Sequence, residues 1–327
     1  MKKNSIILLI IAIALLFSML LHFNYQVQAQ ANFYGKGGFT PTPINSQIAG
    51  KGDIAAAEHI LQVIDSNLIA APSYSFYSHG SGGASSSFMD MKGELDYGII
   101  FIKDNGALYL QSGACVTRLT SNAGDKLSQA VKGVIDQAER HYSPDGSTFY
   151  VQKVRGFKAK TRVFNNFPYS VANYGAGKVE VAKKGDYARK QCVKKDIFEF
   201  SNIVMDSSTI DPASVKISYK DGLYKLSYEI NLKDAASRDK ATQYARSFLR
   251  NVANSDDLQF KVFKVYLEVW ENGLIKKCCR EESWTGTLKL PMGVKPQGTT
   301  KSSNCFYYTF NPKNCKIKGK VDISWAK

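Results

Sequence analysis

The most regular alternation of apolar and polar residues in this chain lies in its second half, around Asp221-Gly222. A two-residue loop at this position predicts a β-hairpin with one apolar side and one polar side, as a half-buried antiparallel pair requires. On the polar side, Ser218 faces Lys225 and Lys216 faces Ser227. On the apolar side the facing pairs are Val215 with Tyr228, Ile217 with Leu226, and Tyr219 with Tyr224.

A second hairpin is predicted around Asn272-Gly273. Its register places Cys278 opposite Leu267 on the apolar face and Cys279 opposite Tyr266 on the other face. The two adjacent thiols are therefore predicted to point apart, because neighbouring residues of a strand face opposite sides. The register also predicts two cross-strand charge pairs beside Cys279, namely Glu268 with Lys277 and Lys264 with Glu281.

Two charged residues conflict with this pattern. Arg280 and Glu282 fall on the apolar face of the predicted strand. We therefore expect a β-bulge near Arg280, or a strand that runs past the core at that point.

Apolar residues at helical spacing predict three helices, and runs of β-formers predict the strands between them. The first helix starts at its cap Asp53 and ends before Pro72; the others cover about 123–141 and 235–253. The segment that begins at His79 (HGSGGASSS) has the composition of a flexible loop. The remaining strands are predicted at 95–103, 107–112, 148–165, 258–271, 274–290, 303–310 and 316–325.

Long antiparallel strands with few helices define an α+β protein. The order hairpin, helix, strands occurs twice, at 95–165 and at 215–290, which suggests a duplication. We therefore divide the chain into a Gly/Pro-rich linker at 32–52, a first α+β half at 53–195 and a second α+β half at 196–327.

Residues 1–31 have the parts of an export signal. Lys2 and Lys3 precede an apolar run from Ile6 to Leu21, and Ala29-Gln30-Ala31 follows as a small-residue site. This order is typical of a secretory signal peptide, while the length of the apolar run also allows an uncleaved signal anchor. Either form predicts an extracytoplasmic protein that is secreted or held at the membrane.

The formal charge is +15, with 43 Lys and Arg against 28 Asp and Glu. Export argues against a nucleic-acid partner for this basic chain. An anionic membrane surface or an anionic wall polymer is the expected acidic neighbour, although scattered lysines also serve solubility alone.

The sequence provides little catalytic chemistry. Ser237 and Lys240 match an S-x-x-K pattern, but the S-D-N and K-T-G elements of those serine enzymes do not occur. After signal removal the histidines are His59, His79 and His141, and His141 is placed at the end of the helix 123–141. We therefore predict a protein that is not an enzyme and needs no cofactor.

The cysteines do not have the spacing of a zinc site, so no metal is expected. A loop at 311–314 would offset Cys305 from Cys315 by too many positions for a disulfide. The candidate pair is then Cys305 with Cys278 or Cys279, with Cys279 favoured because it faces outward; all thiols being free is the alternative.

The second half resembles bacterial lipoprotein-carrier-like proteins (the LolA/LppX-type fold) and also envelope proteins of Gram-positive bacteria. The resemblance rests on the segments GLYKLSYEINL, ATQYARSFLRNV and FKVYLEVWENGLIKKCCREESWTG, within residues 197–325. The resemblance implies a curved or half-barrel antiparallel sheet around helices, with an apolar cavity for acyl chains. It makes the following residues candidates for the cavity lining: Tyr228, Tyr244, Phe248, Phe263, Leu267 and Trp284.

Two functions follow from these observations. The first is an exported, non-catalytic binding protein of the bacterial envelope that holds a lipid or other apolar ligand between sheet and helices. The second is a structural or regulatory envelope module that contacts anionic wall polymer or the membrane surface; a hydrolase is the third. A cavity of about 300 Å³ or more between helix 235–253 and the sheet would favour the first function.

Overall fold

The structure of this protein is a computed structural model. It consists of a long antiparallel sheet with a few helices. It describes residues 20–21, 39–86, 90–104, 107–122, 137–143, 150–155, 178–184, 204, 206–249, 254–255, 258–289 and 297–310. The strands are β1 (Leu20–Leu21), β2 (Ser73–Ser86), β3 (Asp90–Asp104), β4 (Ala107–Ser121), β5 (Gln137–Ser143), β6 (Tyr150–Arg155), β7 (Lys178–Lys184), β8 (Lys216–Lys220), β9 (Leu223–Glu229), β10 (Asn254–Ser255), β11 (Gln259–Trp270), β12 (Ile275–Lys289) and β13 (Gln297–Phe310).

The strands are joined in the order β7-β6-β5-β4-β3-β2-β13-β12-β11-β9-β8, with β1 on β2 and β10 on β12. Most neighbours in this order are also neighbours in sequence, as is usual for antiparallel sheets. The central ladder joins β2 to β13 over thirteen residue pairs, from Tyr74–Phe310 to Ser86–Gly298. The sheet is curved, so the predicted α+β class with a curved antiparallel sheet and few helices is confirmed.

The helices are α1 (Ser46–Ala49), α2 (Ile54–Ala70) and α3 (Ala235–Leu249), with 3-10 turns at Ser207–Thr209 and Pro212–Ser214. Asp53 caps α2, because its side chain accepts a hydrogen bond from the Ala56 N–H at 2.9 Å. Asp234 does the same for α3, through the Ser237 N–H at 2.8 Å. Among the described helices, none has both the length and the hydropathy to span a membrane.

One face of the sheet, here called the core face, packs with α2 in a single hydrophobic cluster. Strand β11 shows the alternation: Phe263, Val265 and Leu267 are at most 2% exposed, whereas Lys264 and Glu268 are not buried. The large residues buried most completely are Tyr74, Tyr228, Phe263 and Phe306 from the sheet and Ile60, Leu61, Ile64 and Leu68 from α2.

The register predicted for the Asp221-Gly222 hairpin is confirmed, and the one predicted for the second hairpin is confirmed from Val262–Ser283 to Glu268–Lys277. Nearer its turn Val269 pairs with Ile275, so the two-residue turn predicted at Asn272-Gly273 is wrong. Ile217 pairs with Leu226 and Tyr219 with Tyr224 around a turn in which Asp221 and Gly222 both have positive φ. In the β11–β12 ladder, Leu267 pairs with Cys278 and Glu268 with Lys277, as the sequence predicts. Two-residue hairpins with both φ values positive match the twist of the strands, which explains the Asp-Gly dipeptide.

The predicted bulge near Arg280 is wrong. Arg280 pairs in register with Val265 and is 3% exposed, so this part of the ladder is regular. The register shifts lie elsewhere, between Phe260 and Val262 and between Glu268 and Val269. Arg280 fits the core face because Glu282, two residues along on the same face, lies 3.4 Å from its guanidinium.

The residues of the expected charge pairs beside Cys279 lie opposite each other, Glu268 with Lys277 and Lys264 with Glu281, but the closest ion pairs are made with other residues. Glu268 is bound by Lys276 at 3.0 Å instead of Lys277, and Lys264 is bound by Glu229 at 3.2 Å instead of Glu281. The shift next to Glu268 makes Lys276 an extra residue in β12, which brings its side chain within reach of Glu268.

Two predictions in the first half are wrong for a common reason. Residues 137–141, predicted as the end of a helix, belong to β5 (Gln137–Ser143) between β4 and β6, so His141 lies in a strand. The predicted flexible loop that begins at His79 is the second part of β2, between β13 and β3. In both cases main-chain hydrogen bonds to two neighbouring strands outweigh the local preference of the side chains.

The other elements of the first half are partly outside the described residues. The strands predicted at 95–103 and 107–112 are confirmed and are longer than expected. Predicted helix residues 123–136, much of 148–165 and the strand at 316–325 lie outside the described residues. The division into two halves and the duplication stay predictions, while strands of both halves join in one sheet through β2 and β13.

Candidate functional site

The face of the sheet opposite the core face, here called the outer face, carries a row of polar and sulfur-containing residues. Tyr266 lies opposite Cys279, Cys279 opposite Cys305, and Cys305 opposite His79. These four residues come from β11, β12, β13 and β2, so the row crosses the middle of the sheet.

Cys279 and Cys305 are joined in a disulfide across the β12–β13 ladder. Their positions directly opposite each other place the two sulfur atoms on the same face. Cys278 is a free thiol on the core face, 5% exposed, and its burial raises its pKa to about 12. The adjacent cysteines thus have different roles: Cys278 fills space in the core, and Cys279 links two strands.

His79 and Asp96 form a buried hydrogen-bonded pair at the end of this row. They are 6% and 5% exposed, and the Tyr77 hydroxyl donates a hydrogen bond to Asp96 at 3.3 Å. The pair joins β2 to β3 and gives His79 a structural contact. The sequence did not predict the His79–Asp96 contact, because the Gly/Ser-rich composition of the segment after His79 indicated a loop.

A cavity of about 850 Å³ lies along the outer face near the end of β2. Its lining comes from β2, β3, β4, β11, β12 and β13, so the sheet itself forms its floor. Small and hydroxyl residues line it, including Ser81, Gly83, Ser85, Ser283, Thr299 and Ser303. Charged residues of both signs surround them: Asp90, Lys92, Glu94, Arg118, Glu281, Glu282 and Lys301.

A second cavity of about 390 Å³ continues along the outer face toward β8 and β9. Glu281 and Ser303 line both cavities, and Tyr266 and Cys279 line the second. We call the two cavities together the outer groove. Its lining can offer hydrogen bonds and charges of both signs to a ligand, and the disulfide lies in its wall.

The residues that the family resemblance proposed for a lipid cavity lie mostly in the packed core. Phe263, Leu267 and Trp284 are at most 3% exposed, and none of them lines either described cavity. Tyr228 is 1% exposed and its hydroxyl donates to the Val204 carbonyl, although it also borders the smaller cavity. The side chains of Tyr244 and Phe248 are outside the description.

A polar pair interrupts the apolar core face. Arg280 and Glu282 are 3% and 7% exposed, and the Arg280 guanidinium lies 5.2 Å from the ring centre of Phe306. Burial raises the pKa of Glu282, an effect that the positive charge of Arg280 only partly offsets. Nearby Thr300 and Asn304 each have a buried oxygen without a hydrogen bond to another described residue.

The S-x-x-K pair has structural contacts in this fold. Ser237 is 3% exposed and its N–H donates to the capping side chain of Asp234, while Lys240 binds Asp206 at 2.7 Å. His59 accepts a hydrogen bond from the Asn45 N–H at 2.9 Å. Within the described ranges, no cluster of His, Cys, Asp and Glu has the arrangement of a metal site.

Comparison with known proteins finds no matching family model and no matching curated protein. Among solved structures, the chain is similar to lipovitellin, in a structure of its lipid–protein interactions, with 8% identity and a TM-score of 0.31. That match covers 74% of this chain and 26% of the lipovitellin chain. A DUF1329 family protein from Desulfovibrio piger has 7% identity and a TM-score of 0.25, with 84% and 99% covered. Scores this low carry no argument about the function of this chain.

Proposed function

We propose that this chain is an exported, non-catalytic binding protein of the bacterial envelope that holds a polar ligand in the outer groove. The observation that carries the proposal is the position of the described cavities. Both lie on the outer face, whereas the core face is filled by packed side chains of the described residues. The larger cavity of the groove, about 850 Å³, is within the usual size range for a ligand site.

The lining of the groove favours a polar ligand over an acyl chain. Serine and threonine hydroxyls alternate with acidic and basic groups, and Arg118 lies 3.7 Å from Glu94 at its rim. An apolar ligand would leave these polar groups without hydrogen-bond partners, which costs free energy for each group that is buried. A ligand rich in hydroxyl or charged groups would satisfy them.

Two further observations support export and a non-catalytic role. The Cys279–Cys305 disulfide is typical of proteins in an oxidising compartment, in agreement with the signal-like residues 1–31. His59 and His79 are engaged in structural contacts with Asn45 and Asp96, which argues against their use as general bases.

Native mass spectrometry of the full chain, purified from an expressing bacterial envelope without denaturant, tests this function. We expect a co-purifying polar molecule on the wild-type protein. Ser303→Trp, at a position that lines both cavities, should abolish it. Ser218→Trp, an exposed position on β8 that lines neither cavity, is the matched control and should retain the molecule.

The other outcomes contradict the proposal in different ways. A protein that carries no ligand in any preparation would oppose a binding function. A lipid that remains bound in Ser303→Trp would place the site between the sheet and the helices, as the family resemblance implies. Circular dichroism of both variants checks that they are folded.

A further inference from the structure

A group of lysines and aromatic rings lies on the outer face at the turn end of β11 and β12. The Lys276 Nζ atom is 5.1 Å from the ring centre of Trp270. The Lys277 Nζ atom lies between two rings, 5.6 Å from the centre of Tyr266 and 5.5 Å from that of Tyr307. We call these five residues, together with Lys225, the lysine–aromatic patch.

The β-bulge explains why two consecutive lysines reach the same side. In a regular strand Lys276 and Lys277 would point to opposite faces. The register shift between Glu268 and Val269 leaves Lys276 as an extra residue, and it then binds Glu268 from the outer face. The sequence alone does not predict this arrangement, because its pattern indicates a regular strand, in which two consecutive lysines point to opposite faces.

Positive charge exceeds negative charge in this part of the face. Lys225 and Lys277 lie opposite Glu268 on its two neighbouring strands, and Lys276 binds its carboxylate. Partial burial would raise the pKa of Glu268, but hydrogen bonds from Lys276 and Tyr266 outweigh it and the pKa is lowered. Three ammonium groups therefore surround one ionised carboxylate at neutral pH. Among the described residues, neither Lys225 nor Lys277 has an ion pair of its own.

We propose that the lysine–aromatic patch binds an anionic polymer of sugar or polyol units joined by phosphates. Half-buried rings such as Tyr307 and Trp270 provide flat surfaces for the C–H faces of sugar or polyol units. The main chains of Lys225 and Lys277 are two strands apart, about 10 Å, and their ammonium groups pair with successive phosphates. The patch shares Tyr266 with the outer groove, but the polymer is a different ligand from the one proposed for the groove, and neither proposal needs the other.

The shape of the patch favours a polymer over a membrane. Insertion into a bilayer requires apolar side chains that protrude from the surface. The exposed large hydrophobic residues in the described part of the chain are Ile69 and Tyr219, and neither belongs to the patch. The rings of the patch instead lie half-buried beneath the lysine side chains.

Binding of the full chain to poly(glycerol phosphate), followed by fluorescence anisotropy, tests this site. We expect Lys276→Gln with Lys277→Gln to weaken binding about tenfold. The matched control is Lys51→Gln with Lys233→Gln, which removes the same charge from exposed positions outside the patch and outside both cavities. It should weaken binding less than about twofold, as screening of distant surface charges predicts. Lys276→Arg with Lys277→Arg should retain binding, because arginine also stacks on aromatic rings.

Three results would overturn the proposal. Equal losses in the two glutamine variants would mean that only net charge matters. Absence of binding to the polymer at about 0.1 M salt would show that the patch is not a binding site for it. Binding to phosphatidylglycerol vesicles without binding to the polymer would instead identify a membrane surface as the partner. None of these results depends on whether a ligand occupies the outer groove.

Discussion

The two faces of the central sheet use the same strands for different purposes. On β11 the core face presents Phe263, Val265 and Leu267, all at most 2% exposed, to one hydrophobic cluster. The alternate residues Lys264, Tyr266 and Glu268 are solvated and make ion pairs and hydrogen bonds. The core face therefore determines stability, and the outer face is where substitutions can change binding without unfolding the protein.

Substitution of adjacent residues on β11 tests this difference most strongly. Phe263→Ala should lower the free energy of unfolding by about 3–5 kcal/mol, because it removes a ring that is 1% exposed and leaves a cavity. Lys264→Ala, one residue away, should change it by less than about 0.5 kcal/mol. Urea unfolding followed by circular dichroism measures both values.

A similar loss in both variants would contradict the division into two faces. The ion pair of Lys264 with Glu229 is about half exposed on each side, so it should contribute little. Phe263→Leu is a useful third variant, since it keeps most of the apolar volume and should lose much less than the alanine variant.

The disulfide is the element of the outer face that we expect to matter for stability. Cys279 and Cys305 are 26 residues apart in sequence, and their link restricts the unfolded chain. Cys279→Ala with Cys305→Ala should lower the free energy of unfolding by about 3 kcal/mol. Cys278→Ala, on the core face, should cost about 1 kcal/mol, because only one buried sulfur is lost. Chemical unfolding of the three proteins without reductant measures the difference.

Peptide mapping without reduction provides the control for this prediction. The fragment that contains Cys279 should be linked to the fragment that contains Cys305, with Cys278 recovered as a free thiol. A link from Cys278 to any other cysteine would contradict the assignment of the two thiols to opposite faces.

The parts of the fold that could be predicted from sequence are those where side chains alternate strongly. The dipeptide Asp221-Gly222 and the apolar residues of β9 and β11 are enough to define both registers. The same alternation separates Cys278 from Cys279. Local information suffices here because a slip of one residue would move a whole apolar face into water.

The failures lie where the main chain, not the side chains, determines structure. Strand β2 continues through Gly80, Gly82 and Gly83 because β13 pairs with this segment residue by residue. Strand β13 is far away in sequence, so composition could only indicate a loop. The outer groove and the lysine–aromatic patch were missed for the same reason: one needs six strands side by side, and the other needs the bulge at Glu268.

Glu281 and Glu282 offer the finest test of the two faces, through the pH dependence of stability. Burial raises the pKa of Glu282 in the folded protein above its ordinary value of 4.5. A raised pKa means that the folded state holds this proton more tightly than the unfolded state does. The stability contributed by Glu282 is then present below pH 4.5 and is lost as the pH rises through the folded pKa.

Glu282→Gln should remove this loss of stability with rising pH. For one proton, the free energy of unfolding falls with a limiting slope of about 1.4 kcal/mol per pH unit. Glu281→Gln, at the neighbouring exposed position that lines the outer groove, should leave the slope of the wild-type protein unchanged. Urea unfolding between about pH 4 and pH 8 provides both profiles. If the two variants had the same profile, burial would not raise the pKa of Glu282. Arg280 and Glu282 would then have to be accessible to solvent on the core face. If only Glu282→Gln flattens the profile, the proton is held inside the core face beside Arg280.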